Sequence, residues 1–219
     1  IISYKFMEKY PDHGAYLNQN SYSRQERSQV KANIASIEET IQNYMEEENY
    51  NRSMKYYKKK YNSIPFWFIV NFVSFGKLVN FYETMDYELR EDIADQFQLF
   101  VEENLGSKID EYLTPSHLQS FLQNAREIRN LTAHDNLLLD HKFTEIEFFN
   151  SLHARYNLQE KEERRKLFSS FIAIQALLPR KHFDDLQVQI KASIYKLRDN
   201  IDKPAFDKIM KSIGFDKWV

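Results

Sequence analysis

Only four glycines and five prolines occur in 219 residues. Turn-rich β architectures draw on glycine for positive φ and on proline for a pre-set φ, so a chain this poor in both must run long between reversals. Its apolar residues keep a helical period. Val30, Ile34, Ile37, Ile41 and Tyr44 recur every three or four positions, and no paired alternating runs flank an Asn-Gly or Asp-Gly turn. Hydrophobic residues make up 42%, enough to build a core rather than to leave the chain disordered. The fold class expected is all-α. The length fits one large or two small domains, and without an internal repeat or a low-complexity linker it reads as a single helical bundle over 1–219.

The turn residues place the elements. Residues 1–22 read as a short helix followed by a loop, 23–48 as a helix, and 49–63 as a connector or short helix. Pro65 opens a helix expected to run to about Met85, and another covers 88–105, ended by Gly106. Thr114-Pro115 combines a capping hydroxyl with proline at the first helical position. The helix it starts carries an apolar stripe of Leu118, Phe121, Leu122, Ala125, Ile128 and Leu131, with Arg129 to His134 near its end. Then come a loop over 136–144, a short helix over 145–152, helices over 161–178 and 183–200 separated by Pro179, and a last one from Pro204 to Gly214.

Composition excludes several chemistries. Without cysteine there is no disulfide framework, no thiolate zinc site and no thiol nucleophile. Four glycines leave no phosphate loop or dinucleotide fingerprint. No cofactor and no metal is expected. The formal charge of −2 and pI of 6.4 rule out a uniformly basic nucleic-acid binder, so any positive surface is local. The most apolar run, Ile64 to Val73, is shorter than the roughly 20 residues a bilayer span requires, so no membrane association is expected, and a cytoplasmic location is. The first residue is Ile1 and no signal peptide opens the chain, so the numbering is expected to begin inside a longer protein or after a trimmed start.

One constellation suits acid–base chemistry on phosphate esters. In Arg129-x-x-x-x-His134 an imidazole, able to take and give a proton near neutrality, follows a guanidinium whose fork matches phosphate oxygens. RNA is cut when its own 2′-hydroxyl attacks the adjacent phosphate, a reaction that needs a proton acceptor, a proton donor and positive charge on the pentavalent phosphorus. On a helix the two residues lie about 140° apart, at the ends of a polar arc formed by Arg126, Arg129, Asn130, Ala133 and His134. One histidine per chain is thin for an acid–base pair, and a two-fold dimer would double it. The spacing alone also suits an ion-pairing surface arginine beside an incidental histidine.

The surrounding residues carry more. Ala125-Arg126-Glu127-Ile128-Arg129-Asn130-Leu131-Thr132-Ala133-His134-Asp135-Asn136 resembles the R-N-x-x-A-H-x-N signature of the Abi-like abortive-infection proteins (AbiD/AbiF type), a branch of the HEPN superfamily. Upstream, Ile64-Pro65-Phe66-Trp67 and Phe75-Gly76 are similar to that family's L-P-x-W lead-in to an apolar helix and its Phe-Gly turn. The resemblance covers roughly 4–139, with 145–219 as added C-terminal helices. It implies a HEPN-like helical fold with a segment before Ile1, metal-independent RNA cleavage, dimerisation through the motif helix, and a role as a toxin or phage-defence effector. Carried over by position, it implies that Arg129 and His134 are the catalytic pair, with Asn130 orienting the histidine. RNA is the implied partner. Leu137 stands where family members commonly show a basic residue.

Other features of the chain carry readings of their own. A non-catalytic RNA-binding module that holds a small noncoding RNA uses the same strip, with Arg126 and Asn136 as contacts. Lys55, Lys58, Lys59 and Lys60 interleave with tyrosines in a pattern that suits phosphate contact and base stacking, or else a solvated basic turn. His134-Asp135 with His117, Asp140 and His141 invites comparison with His-Asp metal phosphohydrolases, but His117 lies about 25 Å up the same helix. The run from Lys161 to Lys166 is expected as a salt-bridged helix face, Pro179 to His182 as a loop with a surface histidine, and Trp67, Phe68 and Phe72 as core.

Overall fold

A computed structural model describes residues 1–24, 27–46, 51–161 and 163–218. Among the described residues there are eleven α-helices and no strand, so the all-α expectation holds. The chain forms two compact units, Ile1–Ile93 and Ala94–Val219. The outer positions 25–26 and 47–48 of the expected 23–48 helix, the first two connector positions at 49–50, and Glu162 of the charged run lie outside the described residues.

The first unit contains α1 (Ile2–Lys9), α2 (Arg27–Met45), α3 (Arg52–Tyr61), α4 (Phe66–Ile69), α5 (Phe75–Glu83) and the start of α6 (Tyr87–Leu105). Phe66 is the hub of its core. Its ring lies 4.6 Å from Phe81, 5.1 Å from a stacked Tyr16 and 5.4 Å from Phe6, and all four are fully buried. Edge-to-face and offset contacts of this kind add to the burial of large rings. The Pro65-Phe66-Trp67 lead-in therefore seats one aromatic in the core. Trp67, Phe68 and Phe72, expected as core, are only half-buried and form an aromatic layer with Tyr57 and Tyr44.

The expected helix from Pro65 to Met85 is broken. Asn71 Nδ2 donates to the Trp67 and Phe68 carbonyls at 3.3 and 3.0 Å, and Ser74 accepts from the Lys77 amide as the N-cap of α5. These short polar side chains take over the backbone groups that a continuous helix would pair with each other. The connector over 49–63 contains a full helix, α3, capped by Asn51 and ended by Asn62 at φ 55°.

The second unit contains the rest of α6, then α7 (Pro115–Ala133), α8 (Asn150–His153), α9 (Leu167–Ile174), α10 (Arg180–Asn200) and α11 (Lys203–Ile213). Leu118, Phe121 and Leu122 of α7 are buried, while Ala125, Ile128 and Leu131 are half-buried. Ile128 opens onto an apolar cavity of about 460 Å³ that Phe171, Ile190, Ile194 and Met210 also line. Asn104 near the end of α6 donates to the Gln175 and Leu178 carbonyls, both at 2.9 Å, which satisfies acceptors in the turn that follows α9.

Four expectations in this unit are corrected. The short helix expected over 145–152 is reduced to α8. Before it, Phe143 and Ile146 donate to the Arg165 and Arg164 carbonyls, so two irregular segments run side by side where helices were expected. The helix expected over 161–178 accordingly begins only at Leu167. Buried Arg164 donates to the Ile146 and Glu160 carbonyls and, with Arg165, faces Glu145 at 3.7 and 3.6 Å. The charged run is ion-paired, but across two segments rather than along a helix face. Pro179 is the N-cap of α10 and Arg180 to His182 form its first turn, so the expected loop is helical. His182 is exposed. Gly106 at φ 74° and Gly214 at φ 82° end α6 and α11 as expected.

Among the described residues no helix is long and apolar enough to cross a membrane.

Candidate active site

Helix α7 positions the strip by being fixed at both ends. At its start Thr114 accepts from the His117 amide while His117 Nδ1 accepts from the Thr114 amide, a reciprocal capping box with histidine in the place usually taken by Glu or Gln. His117 Nε2 reaches the Phe148 carbonyl at 3.0 Å. The residue considered above as a metal ligand is therefore part of a helix cap. Among the described residues no group of three or more His, Asp or Glu side chains is arranged to hold a metal ion.

At its other end the helix stops one residue before the histidine. Ala133 is the last helical residue and His134 is the C-cap, at φ −109° and ψ 18°. Asp135 follows in the left-handed region at φ 51°. The Asn136 amide donates back to the Leu131 carbonyl at 2.9 Å and the Asp135 amide to the Thr132 carbonyl at 3.3 Å. This pair of bonds defines a Schellman motif, built here on aspartate where glycine is usual. The angle reckoned along an ideal helix therefore holds for Arg126 to Ala133 and not for His134. Thr132 Oγ1 donates to the Ile128 carbonyl at 2.9 Å, taking up an acceptor near the terminus.

The strip faces solvent. Arg129, Asn130, Thr132, Ala133, His134, Asp135 and Asn136 are exposed, and Arg126 is half-buried. Leu137 next to them is 72% exposed, an apolar side chain with no place in the core. Arg129 Nη1 donates to Asn130 Oδ1 at 3.1 Å. Asn130 thus bonds to the arginine, and the imidazole it was expected to orient has no side-chain hydrogen bond among the described residues.

A pair that sequence reasoning overlooked lies beside the strip. Glu127 Oε1 meets His141 Nε2 at 2.8 Å, and Glu127 Oε2 accepts from the Thr144 amide at 2.9 Å. Burial opposes the charge on Glu127, but the contacts from His141 and Thr144 outweigh it and hold the carboxyl below its ordinary value. Asn124 Nδ2 adds a bond to the Thr144 carbonyl at 3.3 Å. The loop over 136–144 is thereby stapled back along α7. The sequence signal was the Glu127 to His141 separation, which has no fixed local geometry.

The lysine cluster belongs to the first unit. Lys55, Lys58, Lys59 and Lys60 are exposed on α3, and the last three lie in its final turn, where cations suit the carbonyl end of a helix. Lys60 Nζ donates to the Tyr56 hydroxyl at 2.8 Å and stands over the Tyr56 and Tyr61 rings. The hydrogen bonds to these two tyrosines push its pKa upward. Lys58 Nζ donates to the Asn62 carbonyl.

The chain is thus an all-α protein that carries an Arg-Asn-x-x-Ala-His strip at an exposed helix end. The sequence model of the Abi-like protein family matches residues 1–140, and the chain belongs to that family, which carries an abortive-infection role. The match ends within the stapled loop, one residue before His141. Comparison with curated proteins and with solved structures returns no match.

Proposed function

We propose that the protein is a metal-independent endoribonuclease of the HEPN type that acts as an abortive-infection or toxin effector. The observation that supports this most is the exposure of Arg129 and His134 at a helix terminus closed by a Schellman motif, inside the family-matched region. The 2′-hydroxyl of the substrate attacks the adjacent phosphorus, so a 2′-O–P bond forms as the P–O5′ bond breaks. One His134 imidazole takes the 2′-hydroxyl proton and a second gives a proton to the departing O5′. The products are a 2′,3′-cyclic phosphate and a 5′-hydroxyl. Arg129 stabilises the phosphorane charge, and Asn130, already bonded to the guanidinium, positions it. Arg126, Asn136 and the α3 lysines contact the RNA backbone. The second imidazole comes from a second copy of the chain, and a homodimer formed through the motif helix also covers exposed Leu137.

The test is cleavage of a labelled RNA by wild type, His134→Ala and Arg129→Ala, with product ends identified. The expected result is cleavage by wild type in EDTA, cyclic phosphate termini, and loss by a factor of at least about 100 in either variant, alongside loss of growth inhibition. Cleavage by His134→Ala at the wild-type rate, or abolition by EDTA, would overturn the reading. Wild type that binds RNA and never cuts it favours the non-catalytic RNA-binding module that holds a small noncoding RNA.

A further inference from the structure

A cleft of about 310 Å³ in the second unit is lined by Lys142, Arg165, Lys166, Lys208 and Lys211, with Asp140 and Glu163 as the carboxylates among its lining residues. These residues come from the loop after the motif, from the segment before α9, and from α11, so the chain converges on the cleft from three places. Arg165 is held by Glu145 at 3.6 Å. Lys166 Nζ donates to the Lys211 carbonyl at 2.8 Å, and its stem would meet a Cβ added to Gly214 at 3.1 Å. Two of the cations are thus anchored. Lys142, Lys208 and Lys211 have no ion pair among the described residues. In a chain of net charge −2, this concentration of positive charge in a concave site fits an anion.

We propose that this cleft binds backbone phosphates of the RNA strand that reaches the Arg129–His134 strip. The proposal rests on the ribonuclease reading given above. His141 lines the cleft and is bonded to Glu127. Glu127 and Asn130 are spaced i and i+3, which puts them on one side of α7, and His134 is the C-cap that follows it. Glu127 and His134 are separated by about 10 Å along the helix axis, short enough for one strand to touch both the cleft and the strip. All five cations of the cleft lie beyond α7 and beyond the family-matched region.

The experiment uses the full chain with His134→Ala to prevent cleavage, and a fluorescein-labelled single-stranded oligoribonucleotide, with anisotropy measured over a range of sodium chloride. Adding Lys142→Glu and Lys208→Glu, both at exposed positions, should weaken binding roughly tenfold or more. It should also lower the slope of log affinity against log salt by about 1.4, since two phosphate contacts are lost. Lys142→Gln with Lys208→Gln should give the same slope change with a smaller loss, and it serves if charge reversal disturbs folding. Unchanged affinity and slope in both doubles overturn the cleft, and so does displacement of the RNA by polyglutamate at equal charge, which assigns the site to an acidic polypeptide. Cleavage by the otherwise wild-type chain is scored separately. RNA that is cut but indifferent to the cleft variants leaves the nuclease reading standing. RNA that is bound through the cleft and never cut overturns that reading and leaves the cleft.

Discussion

Glu127 and His141 lie fourteen residues apart and meet at 2.8 Å, Oε1 to Nε2, joining the motif helix to the loop that follows it. With the Thr144 amide on its other oxygen, Glu127 fixes the far end of a loop whose near end is closed by the Schellman bonds at Asp135 and Asn136. The histidine of the strip therefore sits where the helix gives way to a loop anchored at both ends.

Glu127→Gln should uncouple that loop. The carboxyl is held below its ordinary value of 4.5 by His141 and Thr144, against the opposing effect of burial. A carboxylate with a depressed folded-state pKa contributes stability that is present above the unfolded value and is lost as pH falls through the folded one. Urea unfolding should show the variant less stable by about 1 kcal/mol at neutral pH, with the gap closing as pH falls below 4.5. A gap of constant size into acid would refute this.

His153 should dominate acid sensitivity in the second unit. Its ring is fully buried, Nδ1 lies 2.8 Å from the Phe149 carbonyl, and Nε2 has no hydrogen-bond partner among the described residues. Burial pushes its pKa down to about 4, against the hydrogen bond to Phe149 and with help from the positive Arg164 nearby. The unfolded chain takes up the proton first, so stability contributed at neutral pH is lost as pH falls from 6.5 toward about 4. The loss is on the order of 3 kcal/mol. His153→Gln should flatten the stability profile over that window, as measured by urea unfolding at a series of pH values. An unchanged slope would show that another group is responsible.

Asp135 stands in the left-handed region at φ 51°, where glycine is strain-free and a β-branched residue is not. Asp135→Gly should keep the turn and raise stability slightly, whereas Asp135→Val should cost about 1–2 kcal/mol. Because His134 is the preceding residue, the valine variant should also lose RNA cleavage that the glycine variant keeps. Thermal unfolding and a cleavage assay on the two variants check both parts. Equal melting temperatures would count against a turn that depends on this backbone angle.

Helix ends were legible wherever a local signal set them. Thr114-Pro115, Gly106 and Gly214 mark true boundaries because caps and left-handed termini depend on neighbouring residues alone. The boundaries missed at 70–74, 145–149 and before Leu167 share one cause, since the backbone bonded elsewhere: apolar spacing continued through the first two, and the third is a charged run without an apolar residue. At the first, Asn71 and Ser74 side chains took the helix's partners. At the other two, Phe143 and Ile146 paired with Arg165 and Arg164. Periodicity reports which residues become buried and leaves open which backbone group an amide will choose.

The same division runs through the candidate site. The sequence by itself determined that the chain is helical, that a capped helix carries Arg129, Asn130 and the residues up to His134, and that the motif belongs to the Abi-like family, because helix periodicity, capping and signature spacing are local properties. Only the tertiary structure decided that His134 sits just past the helix rather than on it, that Asn130 bonds to Arg129, that His141 pairs with Glu127, and that lysines from 142, 208 and 211 share one cleft. Those outcomes depend on a backward-bonding turn and on residues far apart in the chain, and sequence spacing carries no distance once a loop intervenes.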